Sequence, residues 1–215
     1  MKKIARWLIS GALVLPAACG GGAVSPGYSA SLAPPPSAGA APWSLPADPM
    51  SLVREAGLTP ATQEFFTYHV HAHLDVFVNG RRVQIPGGIG IDITDPAVRR
   101  FVVEGAPDYS TKGCPQACIS PLHTHDVTGV LHIEAPVKMQ PSLGQFFEEW
   151  GIRLDGSCVG GYCRPASSVV VFVDGKRQTG SPGDIPLLDH DEIAIVIGTP
   201  PAQIPASYTF GPNEP

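Results

Sequence analysis

Apolar and polar positions alternate through the stretch 68–77, with His69, His71, His73 and Asp75 in one phase and Val70, Ala72, Leu74 and Val76 in the other. A period of two predicts a strand, and residues two apart on a strand share a face. The three imidazoles are therefore expected on one side. The strand leads into 76–82, where Asn79-Gly80 predicts a tight hairpin turn with positive φ at both positions. The same pattern recurs at 171–177 around Asp174-Gly175. We read the likeness as convergent, because any hairpin with this turn favours these residues. Strands are also expected at 129–135, 167–174 and 193–197.

A period near 3.6 occurs once with force. Leu143, Phe146, Phe147 and Trp150 fall at i, i+3, i+4 and i+7. Ser142 and Gln145 form a capping-box pair before them, and Gly151 closes the helix. This pattern puts Trp150 in the core and Glu148 and Glu149 in solvent. A shorter helix is expected at 50–59, with Asp48 as cap, Pro49 at the first helical position and Gly57 and Pro60 at its end. One main helix and two β-hairpins predict an α+β fold, a small mixed roll of β-grasp type, with a β-sandwich or cupin-like barrel as the alternative.

Composition separates this domain from the chain ends. Of the 215 residues, 24 are Gly and 24 are Pro. At the N-terminus, Lys2, Lys3 and Arg6 precede an apolar run at 7–15 that is too short to span a bilayer, which predicts a signal peptide over 1–18. The run ends in LPAACGGG, which resembles the lipobox of bacterial lipoproteins, with Pro16 where an aliphatic residue is usual. That resemblance implies lipidation of Cys19 and a membrane anchor at the N-terminus. Residues 19–49 are rich in Gly, Pro, Ala and Ser and read as a flexible tether. The globular domain is expected at 60–200 and an extended tail at 201–215. A net charge of −5 excludes electrostatic binding of nucleic acid, which needs a basic face.

Six of the seven histidines fall in two windows: His69, His71 and His73, then His123, His125 and His132. Buried neutral imidazoles without partners are costly, and a metal ion or a carboxylate removes that cost. All six are candidate ligands, with His123 and His125 foremost. Asp126 and Glu134 are expected to orient imidazole N–H groups. Imidazole suits zinc, copper, iron and nickel, and copper or zinc is the expected ion. The competing readings are an exposed histidine row and a hydrogen-bonded histidine core. His190, in an acidic turn, reads as surface.

The run CISPLHTHDVTGVLHIEAP, with SLGQFFEEWGIRL after it, resembles a group of secreted or membrane-anchored prokaryotic proteins with LHTHDxTGxxHxE and LGQFFxxWG signatures. The resemblance covers about 70–154 and implies a role for His123, His125, Asp126 and His132 without naming a reaction. The chain has no HExxH, nucleophile elbow or Walker loop. Cys114, Cys118, Cys158 and Cys163 allow three disulfide pairings in an exported protein. Cys114 and Cys118 also have the spacing of a redox or copper-binding pair. The expectation is an exported lipoprotein, periplasmic or at the cell surface, that binds copper or zinc for storage, delivery or sensing. The alternatives are a metal-dependent hydrolase or oxidoreductase with a three-histidine site, and an adhesion or scaffold module without metal.

Overall fold

The alternating stretch is the longest strand, β1 (Tyr68–Val78), and the rest of the domain is arranged about it. The structure is a computed structural model that describes residues 39–212 and 214; the expected signal peptide, Cys19 and the expected tether up to residue 38 lie outside them. Helix α1 (Pro49–Glu55) precedes β1, and β2 (Arg81–Val83), β3 (Val98–Val103), β4 (Ala106–Thr111), β5 (Leu122–His123) and β6 (Val130–Ala135) follow it. Helix α2 (Leu143–Glu149) comes next, then β7 (Cys158–Val159), β8 (Tyr162–Cys163), β9 (Val169–Val173), β10 (Lys176–Arg177) and β11 (Glu192–Ile197).

Seven strands make one open mixed sheet in the order β10-β9-β11-β1-β6-β5, with β2 also paired to β1. Strands β1 and β11 run parallel, and the other pairs are antiparallel. The fold is α+β, mostly strands with two short helices. Both Asn-Gly and Asp-Gly turns form, with Asn79 and Gly80 at φ 49° and 77° and Asp174 and Gly175 at 50° and 71°. Two further strand pairs, β3–β4 and β7–β8, are separate ribbons. The first turns through Glu104-Gly105 and leaves Phe101, Val102 and Val103 exposed.

One phase of the sheet makes the core. Ala72, Leu74 and Val76 of β1, Leu131 and Ile133 of β6, and Ile193 and Ile195 of β11 pack with Phe146, Phe147 and Trp150 of α2 and Met50 and Val53 of α1. Each fully buried large side chain contributes roughly 1.5–3 kcal/mol. Helix α2 starts on a formed capping box: the Gln145 N–H donates to Ser142 Oγ, and the Ser142 N–H donates to Gln145 Oε1. Helix α1 starts with the Ser51 N–H donating to Asp48 Oδ1.

Two expectations need correction. Glu149 is fully buried, not solvated, and accepts a hydrogen bond from Ser120 Oγ at 2.7 Å. The short helix is enclosed on more than its apolar stripe, because α1 and the 3-10 turn Pro182–Asp184 also pack on it. The second concerns the tether. From residue 39 it is packed: Trp43 is buried in the core and meets the edge of Trp150 at 5.5 Å. A single large indole gives an otherwise small-residue stretch enough apolar surface to dock.

The disulfides are the two local ones, Cys114–Cys118 and Cys158–Cys163. Cys158 and Cys163 sit directly opposite each other across the β7–β8 pair. The sulfurs of Cys114 and Cys118 are consumed in their bond, so neither is a thiolate ligand in this structure.

A candidate metal centre on the second face of the sheet

The other phase of β1 carries His69, His71, His73 and Asp75. Register decides what each of them meets. β1 pairs with β6 so that His69 lies opposite Glu134 and His71 opposite His132, and β5 pairs with β6 so that His123 lies opposite His132. His71, His132 and His123 thus form a row across three adjacent strands, a spacing of about 4.8 Å per step. Ring centroids in the cluster lie 4.6 Å apart for His71 and His132, 4.4 Å for His125 and His132, and 5.4 Å for His123 and His132. Close backbone approach is needed beneath β5. At Gly90, with φ 72°, an added Cβ would lie 2.5 Å from Leu122 O and 3.2 Å from His123 Cβ.

Backbone carbonyls set the tautomers of two rings. His123 Nδ1–H donates to Ser120 O at 2.9 Å, and His125 Nδ1–H donates to Tyr109 O at 2.5 Å. A carbonyl only accepts, so both Nδ1 atoms carry protons, and each ring in its neutral form presents Nε2 as a lone pair. Those two Nε2 atoms lie 3.1 Å apart. Two lone pairs at that distance could share one cation. Elsewhere in the cluster, His71 Nε2 lies 3.1 Å from His132 Nδ1. His69 Nε2 lies 3.2 Å from Glu134 Oε1. Glu134 Oε2 is buried without a hydrogen-bond partner.

These distances match a metal's requirements. Metal–nitrogen bonds of 2.0–2.1 Å at tetrahedral angles put neighbouring ligand atoms about 3.3 Å apart. Two overlapping sets, His69/His71/His132/Glu134 and His123/His125/His132/Glu134, each hold four donor atoms within 4.8 Å of one another. Burial keeps the site's own charge low. It holds His123 and His132 well below the ordinary imidazole range, with the neighbouring His125 adding to the effect. His69 is lowered by the same two causes. Burial, and then the nearby Glu64, push Glu134 up to about 8.

His73 shares the face but not the cluster. Its Nδ1 lies 2.6 Å from Glu192 Oε2 and its Nε2 lies 3.1 Å from Thr128 O. Tyr208 stacks on its ring at 3.7 Å, nearly parallel. His73, Asp75 and Glu192 form a third set of donors within metal-binding reach, but Arg82 Nε pairs with Asp75 and its guanidinium also donates to Thr128 O at 2.9 Å. A cation is already there.

Asp126 stands outside all three sets and accepts from the Thr128 N–H and hydroxyl, closing the turn before β6. His190 lies on the surface beside Phe210 of the tail, 4.6 Å between centroids. The tail runs extended over this face, with Ile204 against Phe77 and Val196. Three contributors were not read from the sequence: the Ser120 and Tyr109 carbonyls, and Glu149, which anchors the Ser120 hydroxyl. Ser120 precedes His123 by three residues, and that proximity was the one available signal. Comparison of the chain with protein-family models, curated proteins and solved structures finds no match.

Proposed function

We propose that the protein is an exported, lipid-anchored metal-binding protein whose histidine cluster takes up copper or zinc for storage, delivery or sensing. The observation that carries this reading is the pair of facing Nε2 atoms on His123 and His125, both fixed as acceptors by their carbonyl-bound Nδ1 protons. A shared proton would leave a positive charge in a site whose burial opposes it, whereas a metal ion brings its own bonds to every lone pair. Five imidazoles and one carboxylate suit copper or zinc better than calcium or magnesium, which prefer all-oxygen sites. Two disulfides fit an oxidising compartment outside the cytoplasm. Among the described residues no helix is long and apolar enough to cross a membrane. The reading of a lipid anchor is supported by the lipobox-like run that ends at Cys19.

Metal analysis of the purified protein tests this reading, with the His123→Ala/His125→Ala variant alongside. The expected result is stoichiometric copper or zinc in the wild type and a reduced content in the variant. Protein that takes up neither ion, with a melting temperature indifferent to both, overturns it.

A further inference from the structure

Resting on the metal-binding reading above, we infer that the cluster holds two metal ions bridged by the carboxylate of Glu134. The cluster has more donors than one ion can use. Five imidazoles and a carboxylate supply at least six ligand atoms, whereas a zinc or copper site of this kind takes about four. The donors also divide in space. His69 and His71 come from β1, His123 and His125 come from β5 and the residues just after it, and each pair belongs to a different four-residue set. His132 and Glu134, on the strand between, belong to both sets.

An ion placed in the first set leaves the His123 and His125 lone pairs facing each other at 3.1 Å. An ion placed in the second set leaves His69 Nε2 buried without a hydrogen-bond partner, 3.2 Å from Glu134 Oε1. Neither choice alone satisfies the cluster.

The residue that reconciles the two sets must bind on both sides at once. A carboxylate does this with its two oxygens, whereas a neutral imidazole ring must give up its remaining N–H proton, which is far less acidic than a carboxyl proton. Glu134 offers Oε1 toward His69 and His132, at 3.2 and 3.5 Å, and its Oε2 is buried without a hydrogen-bond partner. The assignment is then one ion on His69, His71, His132 Nδ1 and Glu134 Oε1. The second ion sits on His123, His125 and Glu134 Oε2. The first ion has four protein ligands and is closed. The second has three, which leaves a position for water or a small anionic ligand, the pattern of a site that can exchange or react.

Native mass spectrometry of the chelator-stripped full-length protein, titrated with zinc(II), measures the stoichiometry directly. The expected wild-type value is two ions per chain, falling to one in His69→Asn/His71→Asn, in His123→Asn/His125→Asn and in Glu134→Gln. With copper(II), the wild type is expected to show an integrated paramagnetic signal well below its copper content, because bridged ions couple. The two histidine double variants, holding one ion each, are expected to show signal equal to content. Far-UV circular dichroism of each variant identifies any that fails to fold, and the wild-type stoichiometry and spin count stand without them. A single ion in the wild type overturns the bridged pair and leaves the metal-binding reading intact. Two ions retained in Glu134→Gln, or full spin count in the wild type, overturn the bridge. No ion bound at all overturns both readings.

Discussion

His71 and His73 are two residues apart on the same strand, on the same face and equally buried. They have different fates because their neighbours across the sheet differ. His73 lies beside β11, opposite Glu192 in the register, and has a polar partner at each nitrogen, Glu192 at Nδ1 and Thr128 O and Arg82 at Nε2, with Arg82 also paired to Asp75. His71 lies opposite His132 and meets another imidazole. The first sits in a network that contains its own cation, Arg82, and the second sits among imidazoles and one carboxylate. Which donors a buried histidine can share with its neighbours is decided by what lies opposite it in the register.

The largest effect expected from breaking this contrast is at Glu192. Glu192→Ala strands buried His73 and should cost about 3–5 kcal/mol in urea unfolding, while zinc stoichiometry per folded chain stays at the wild-type value. A fall in stoichiometry would mean that the two regions are one site.

The second effect is on the other side of the contrast. Metal at 100 times its dissociation constant should stabilise the wild type by about 2.7 kcal/mol per site. In His123→Ala/His125→Ala the contribution of that ion should vanish, as read by thermal unfolding with and without a chelator. His73→Ala should keep the whole metal-induced shift, whatever it costs in stability.

Glu149 sharpens the comparison from beneath, since it anchors the hydroxyl of Ser120, whose carbonyl orients His123. Burial raises its carboxyl well above the ordinary 4.5, and the Ser120 hydrogen bond offsets only part of that. The folded state therefore holds a proton that the unfolded state releases, and the stability contributed by this group is lost as pH rises from about 4.5 toward the raised value. Glu149→Gln makes the group permanently neutral. It should flatten that part of the pH–stability curve and raise stability at neutral pH by on the order of 1–2 kcal/mol. A parallel downward curve for the variant would show that Glu149 is not the group responsible.

The smallest effect belongs to the tail. Tyr208→Ala removes the ring stacked on His73 and should cost about 1 kcal/mol in chemical unfolding. Metal content should not change, because Tyr208 covers His73 and not the Glu134 cluster.

Much of this was legible locally. The alternation through β1 set which residues share a face, the Asn79-Gly80 and Asp174-Gly175 turns marked two hairpins, and Ser142 with Gln145 marked the start of α2. The β3–β4 ribbon was not legible, because Glu104 at its turn is a weaker signal for positive φ than Asn or Asp. Glu149 was misread because a helical stripe describes one packing partner, and α2 has several. Glu134 was expected to orient imidazoles. The sheet places it among the donors themselves, and no local spacing distinguishes those two positions.

The chain by itself specified the chemistry of the site and the phase of each histidine, since side-chain type and a period of two are local properties. Which histidines meet was settled only when β6 took its place between β1 and β5. His71 and His132 are 61 residues apart in the chain. Their contact depends on strand order and register, and a slip of one residue would turn every imidazole of a strand to the other face. The clusters of histidine in the sequence were evident from the start. Their division into one residue beside Glu192 and Arg82 and five gathered around Glu134 came from pairing over distance, which the folded sheet alone decides.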